Sequence, residues 1–214
     1  MQSETCRLYL ITPPSIVVAE FAEALARALD AGDVACVQLR LKEAADDDIR
    51  RAAEALLAVT ATHDTVLLMN DRPDLARETG CDGVHIGQED ATYDVARQTV
   101  GADAVVGVTC HGSGDLAIEA AAKGADYVAF GAFYATDTKE AKARAGTDIL
   151  AWWSEMTTVP SVAIGGITPA NCPPLVRAGT DFLAVVAGVW NHPDGPAAAV
   201  KAFEKAIAEA PDAG

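Results

Sequence analysis

The 214-residue chain is poor in basic residues: 16 Lys and Arg stand against 31 Asp and Glu, a formal net charge of -15 at pH 7. Nucleic acids and anionic membrane surfaces reward an excess of Lys and Arg, so this deficit argues against both as partners. A small anionic substrate stays open, because screening over roughly 8 Å at physiological salt lets a local basic pocket outweigh distant charge. No apolar run reaches the roughly 18 residues needed to span a bilayer. The start, Met1-Gln2-Ser3-Glu4, lacks the basic and apolar regions of a secretion signal, so the expectation is a soluble, cytoplasmic protein. Cysteine is sparse: Cys6, Cys36, Cys81, Cys110 and Cys172 lie far apart and form no C-x-x-C. That excludes a disulfide framework and a zinc site, and leaves reduced thiols that mostly pack. Also missing is a dinucleotide fingerprint, since ITPPS follows the first apolar run where G-x-G-x-x-G would stand.

What the chain does have is apolar residues, 50% of the total, enough for one sizeable core and a single domain over 1–214. Short β-branched runs alternate with Ala-rich helical patterns. The strand candidates are RLYLIT (7–12), VACVQL (34–39), TVLLM (65–69), GVHI (83–86), AVVGV (104–108), YVAF (127–130), SVAIG (161–165) and FLAVV (182–186). Helical patterns include VVAEFAEALARALDAG, DDDIRRAAEALLAVTAT, DLAIEAAAKG and NCPPLVRAG, several closed by Gly. Strict β-α alternation predicts a parallel sheet, and about eight units in this length predict a closed (β/α)8 TIM barrel, with an open doubly wound sheet as the alternative that the missing glycine fingerprint disfavours.

In such a barrel the chemistry gathers at the C-terminal ends of the strands. There the sequence is polar: Gln38, Arg40 and Lys42 alternate after strand two, Asn70-Asp71 end strand three, Gln88-Glu89-Asp90 follow strand four, and Thr109-Cys110-His111 follow strand five. Asp71 and Asp90 are one strand-helix repeat apart, so they rise from neighbouring strands spaced about 5 Å. Two carboxylates about 4 Å apart repel by roughly 4 kcal/mol at an effective dielectric near 20, and need a shared proton or a cation. Oxygen ligands beside a phosphate suit Mg²⁺. The competing reading makes each aspartate a helix cap, Asp71 for a helix starting near Pro73 and Asp90 for the next.

The long segment after strand six, GAFYATDTKEAKARAG, offers Thr136, Thr138 and Lys139 as phosphate donors on a lid, or is a surface loop. Gly165-Gly166 after strand seven, and Ala187-Gly188-Val189 after strand eight, stand where this fold usually cradles phosphate. His85 and His111 are read as hydrogen-bonded packing residues outside the catalytic set. Trp152 and Trp153 are read as core or interface residues, and NHPDGP (191–196) as the turn before the last helix.

Taken together, Q-L-R-x-K (38–42), N-D-R-x-D-L-A (70–76), G-V-H-I-G-Q-E-D (83–90), T-D-T-K (136–139) and A-I-G-G-I-T (163–168) make the chain resemble the thiamine-phosphate synthase (thiamine-phosphate pyrophosphorylase) family over nearly its whole length. The resemblance implies a (β/α)8 barrel that joins hydroxymethylpyrimidine pyrophosphate to hydroxyethylthiazole phosphate, releasing pyrophosphate through a carbocation-like pyrimidine. It implies Mg²⁺ held by Asp71 and Asp90, and pyrophosphate contacts from Arg40, Lys42, Asn70 and Lys139, of which Arg40, Lys42 and Lys139 count as catalytic. It also places Gln38 by the pyrimidine, Thr109 where Ser is frequent, Thr136 and Thr138 by phosphate, and Gly166, Val186 and Ala187 around the thiazole phosphate. Homo-oligomers remain open. The chain departs from the pattern at Leu41, at Pro13-Pro14, at Ala135 and in EAKARAG. Two other readings share the barrel: a thiazole tautomerase-like enzyme, which needs no pyrophosphate-metal unit, and a non-catalytic barrel that binds a thiamine precursor. A Schiff-base aldolase is disfavoured, since no Lys lies inside a strand.

Overall fold

A computed structural model of the chain describes residues 6–135 and 145–210. Eight parallel strands close in sequence order into a barrel: β1 (Arg7–Ile11), β2 (Val34–Leu39), β3 (Val66–Asn70), β4 (Gly83–Ile86), β5 (Val105–His111), β6 (Tyr127–Gly131), β7 (Ser161–Ile164) and β8 (Phe182–Val185). β8 pairs with β1 in parallel and completes the ring. The intervening helices are α1 (Val18–Leu29), α2 (Asp46–Thr60), α3 (Pro73–Thr79), α4 (Tyr93–Val100), α5 (Gly114–Lys123), α6 (Asp148–Met156) and α7 (Pro173–Arg177). A short α8 (Ala187–Trp190) and a longer α9 (Pro196–Ala208) follow β8. The expected barrel is therefore observed. Among the described residues no helix is long and apolar enough to cross a membrane.

Period-two alternation sorts each strand into two faces. Outward residues such as Leu8, Leu10, Val37, Leu39, Leu67, Met69, Val84 and Phe130 pack under the helices in the main core. Burying each large aliphatic or aromatic side chain contributes about 1.5–3 kcal/mol. The inward set is smaller and more polar: Tyr9, Cys36, Leu68, Tyr127, Ala129 and Ala184 form a second cluster inside the ring. Gly107 makes room there, because a Cβ at that position would stand 1.9 Å from the Tyr127 ring.

The N-terminal face carries an unforeseen repeat. Gly80-Cys81-Asp82, Gly124-Ala125-Asp126 and Gly179-Thr180-Asp181 precede β4, β6 and β8. Each Gly has positive φ just past a helix end, and the residue after it donates back to a carbonyl five positions earlier, closing α3, α5 and α7. Each Asp then accepts a backbone N–H at the start of the preceding odd strand: Leu67, Val106 and Ser161, all at 2.7 Å. Ahead of β2, Asp33 accepts two hydrogen bonds from Arg7 on β1.

Trp153 is buried in α6, donating from Nε1 to Val159 O at 2.7 Å, and so belongs to the core. All five cysteines are free; Cys6, Cys36, Cys110 and Cys172 are buried, in line with packing roles.

Candidate active site

At the C-terminal mouth the strand register sets the first geometry. β3 pairs with β4, with Asn70 opposite His85, and the next residue, Asp71, donates its backbone N–H to His85 O at 2.8 Å. Asp71 adopts φ +63°, a left-handed conformation that Asp tolerates better than most residues. That turn leads the chain away from the strand line, and its carboxylate meets Lys42 Nζ at 3.1 Å.

Asp90 follows β4 and accepts the Gly87 N–H at 3.0 Å, which folds the 87–90 loop back on itself. Loss of hydration raises its carboxyl pKa above the usual range, and the Asp71 carboxylate facing it raises it further; Lys42 and the Gly87 N–H pull the other way. The two aspartates therefore converge on one spot.

Neither aspartate caps a helix. Thr92 caps α4, accepting the Val95 N–H, while α3 begins after Arg72 with no side-chain cap. Arg72 instead pairs with Asp46 and Asp74, locking α2 to α3 behind the site. The capping reading of Asp71 and Asp90 is thereby overturned: Pro73 at N1 leaves one fewer N–H to satisfy, and Thr92 is closer to the start of α4.

β2 stops at Leu39, so Arg40 and Lys42 lie beyond the ladder, with Leu41 buried between them. The Arg40 backbone N–H is anchored to Thr12 Oγ1 at 2.9 Å. A cleft of about 270 Å³ opens beside this stretch, walled by Leu39, Leu41 and Met69 and edged by Lys42, Asn70 and Asp71.

Gln38 is buried inside the barrel and donates from Nε2 to Tyr9 Oη at 2.7 Å. Thr109 on β5 is half-buried, with its Oγ1 2.7 Å from His85 Nε2; its carbonyl accepts from Gln88 Nε2 at 2.6 Å. His85 and Tyr127, left out of the sequence-derived site, join Gln38 and Thr109 in one hydrogen-bonded set.

On the opposite rim Gly166 has φ +62°, and a Cβ there would lie 2.3 Å from Ala135 O, so only glycine fits where the loops after β6 and β7 touch. Asn171 holds this loop, accepting the Thr168 N–H at 2.8 Å and donating to Gly166 O at 2.9 Å. The loop after β8 packs against it, since a Cβ on Gly188 would stand 2.5 Å from Ile167 O. Val186 precedes α8 and its carbonyl accepts the Val189 and Trp190 N–H groups, which leaves those of Ala187 and Gly188 without an acceptor inside the helix. Trp190 Nε1 donates to Ile11 O at 2.7 Å and fixes α8 over β1.

Asp71, Asp90, Lys42 and Asn70 thus lie on one side of the mouth, and Gly166, Val186 and Ala187 on loops that abut on the other. Thr136, Thr138 and Lys139 lie outside the described residues. Among the described residues, no group of three or more His, Cys, Asp or Glu forms a metal cage.

The defining pattern of the thiamine monophosphate synthase family matches residues 8–189. The chain belongs to that family. Thiamine-phosphate synthase of Rhodospirillum centenum is 62% identical over 202 residues, covering 94% of this chain and 98% of that protein. The Hyphomonas neptunium thiamine-phosphate synthase is 50% identical, covering 92% and 91%. Among solved structures, thiamine phosphate pyrophosphorylase from Pyrococcus furiosus superposes with a TM-score of 0.84 at 29% identity, covering 97% of this chain and 98% of that one. Family membership covers the strand-end segments that carry both aspartates, so the mouth described above lies within the shared region.

Proposed function

We propose that this family member is a working thiamine-phosphate synthase, a transferase that joins hydroxymethylpyrimidine pyrophosphate to hydroxyethylthiazole phosphate and releases pyrophosphate. The observation that carries the reading is the convergence of Asp71 and Asp90 beside Lys42 at the barrel mouth. An acidic pair of this kind repels a pyrophosphate unless a cation lies between them, and one lysine offsets only one of the two charges.

Two facing carboxylates whose mutual charge is incompletely offset fit Mg²⁺, which takes hard oxygen ligands and completes its shell with phosphate oxygens and water. Asp71 and Asp90 would hold the ion. Bound there, Mg²⁺ would offset the negative charge that develops on the leaving pyrophosphate. Arg40, Lys42 and Asn70 supply further fixed donors from the same side, with Lys139, Thr136 and Thr138 assigned to phosphate oxygens by their motif.

Bond making needs no protein nucleophile. The thiazole ring nitrogen donates its electron pair to the pyrimidine methylene carbon, while the carbon–oxygen bond breaks and its pair leaves with pyrophosphate. The protein orients both partners and stabilises charge on the one that departs. Gln38, with one amide N–H given to Tyr9 Oη, is assigned to the pyrimidine by its motif, and Gly166, Val186 and Ala187 to the thiazole phosphate. The absence of a lysine within the strands continues to disfavour imine chemistry.

The test is pyrophosphate release by the purified protein with both substrates, with each omitted in turn, and with or without Mg²⁺. Release that requires all three components is the expected result. Binding of thiazole phosphate with no release under any condition sinks the synthase reading in favour of a tautomerase-like or purely binding barrel.

A further inference from the structure

Inside the barrel, five side chains from five strands form one continuous hydrogen-bonded series. Gln38 Nε2 on β2 donates to Tyr9 Oη on β1 at 2.7 Å. Tyr9 Oη and Tyr127 Oη on β6 are 2.9 Å apart, and Tyr127 Oη is 2.8 Å from His85 Nδ1 on β4. His85 Nε2 then reaches Thr109 Oγ1 on β5 at 2.7 Å. Gln38, Tyr9, Tyr127 and His85 are at most 8% exposed, whereas Thr109 is half-buried at the mouth. The series runs from the buried Gln38 amide to the half-buried Thr109 hydroxyl at the mouth.

Proton counting gives it a direction. Each phenol has one proton, and burial raises both tyrosine pKa values well above the ordinary range, Tyr9 further through its Tyr127 neighbour, so both remain hydroxyls. Tyr9 Oη already receives the Gln38 N–H, and its own proton has two candidate acceptors: the Tyr127 oxygen and the Cys36 sulfur, which is a weak acceptor. Donation to Tyr127 leaves the Tyr127 proton for His85 Nδ1. The imidazole is then protonated on Nε2 and donates to Thr109. In the reverse direction Tyr9 would receive two donors and have only sulfur to donate to, which wastes a buried hydroxyl proton.

We propose that Tyr9, Tyr127 and His85 are positioning residues that pass hydrogen-bond polarity one way, from the Gln38 amide to Thr109, so that the Thr109 hydroxyl is aimed into the mouth as a donor to an anionic oxygen of the substrate's diphosphate. This rests on the reading of the mouth as a diphosphate site. The polarity itself can be tested without that reading. No proton is transferred along the series; it fixes a tautomer and a rotor. A hydroxyl held in this way costs no reorganisation when charge develops on the leaving group.

The test has two arms. In the free protein labelled with ¹⁵N-histidine, long-range proton–nitrogen correlation spectra report the His85 tautomer, with its signals assigned by their loss in His85→Gln. The expected state is neutral, with the proton on Nε2 and a hydrogen-bonded bare Nδ1 whose shift moves in Tyr127→Phe. A proton on Nδ1 overturns the proposal whether or not the protein couples its substrates.

The second arm is kinetic. Tyr127→Phe is expected to lower kcat about tenfold with KM for both substrates nearly unchanged, and to add nothing further in a Thr109→Val background, as coupled residues do. Losses that multiply would reduce Tyr127 to a packing residue and overturn the proposal. Tyr9→Phe, which breaks the series one link earlier and keeps its ring, substitutes if Tyr127→Phe does not fold. Failure to couple, together with the Nε2 tautomer, would instead count against the synthase reading and leave the relay standing.

Discussion

At the N-terminal end of the barrel Asp82, Asp126 and Asp181 each accept a strand N–H at 2.7 Å, and Asp126 also binds Arg97. At the C-terminal end Asp71 and Asp90 face each other, with Lys42 the cation paired to Asp71 among the described residues. One residue type thus serves opposite ends in opposite ways. At the lower end each carboxylate satisfies a backbone donor that closing the barrel would otherwise leave unpaired, which favours folding. At the upper end two like charges are brought together, which folding alone gives no reason to do. The contrast separates aspartates that hold the barrel closed from aspartates whose mutual repulsion the fold only partly offsets.

The comparison breaks most visibly at Asp71. Asp71→Asn removes one charge from the pair and the partner of Lys42, and the coupling rate is expected to fall by at least about 100-fold, the scale of losing a principal electrostatic contact to a leaving group. Thermal unfolding should stay close to wild type. A variant that couples substrates at near the wild-type rate would place Asp71 among the surface charges.

The converse experiment is Asp126→Ala. It orphans the Val106 N–H and deprives Arg97 of its carboxylate, so the expected loss is about 2 kcal/mol, or a melting temperature lower by roughly 4–8 °C for a chain of this size. Turnover per folded molecule should be unchanged. Lost turnover at full stability would erase the distinction between the two ends.

Much of this was legible in the residues. VACVQL and GVHI become β2 and β4 with the bounds the sequence predicts, because β-branched and apolar runs with sharp polar edges leave little choice of register. β5 runs on to His111, past the expected Val108, because Thr109 and His111, though polar, still pair with β6 across an irregularity at Cys110. The meeting of Asp71 and Asp90 follows from a spacing of one repeat, which sequence can carry. What spacing could not carry was the identity of their partners: Thr92 rather than Asp90 caps α4, a choice decided by loop geometry over two residues.

The interior series was hidden for a different reason. Tyr9, His85 and Tyr127 come from β1, β4 and β6, and only closure of the ring brings them together. A local signal existed, since each is a polar-tipped residue at an inward position of a mostly apolar strand. Reading His85 as a hydrogen-bonded residue was right as far as it went. Its partners were beyond what periodicity predicts. The Gly-x-Asp repeat before β4, β6 and β8 was equally visible in the sequence, and its meaning needed the strand N–H groups to be placed.

The finest test of the contrast lies in Asp90. Its folded-state pKa is raised above the ordinary 3.8, by lost hydration first and by Asp71 second. The native state therefore binds more protons than the unfolded state between those two values, and stability falls as pH rises through the folded pKa. At neutral pH the penalty is fully present; below about 3.8 both states are protonated and it vanishes. Asp90→Asn, which keeps an oxygen to accept the Gly87 N–H, should be more stable than wild type at pH 7. The gain is only about 0.5 kcal/mol, because Asp90 is exposed to solvent and its charge is screened. It should shrink on acidification and be gone near pH 3.5, while coupling activity is lost at every pH. Paired chemical-denaturation curves at pH 7 and pH 3.5 read this directly. A variant less stable than wild type at pH 7 would mean that Asp90 belongs with Asp82 and Asp126, as a carboxylate whose charge the fold uses.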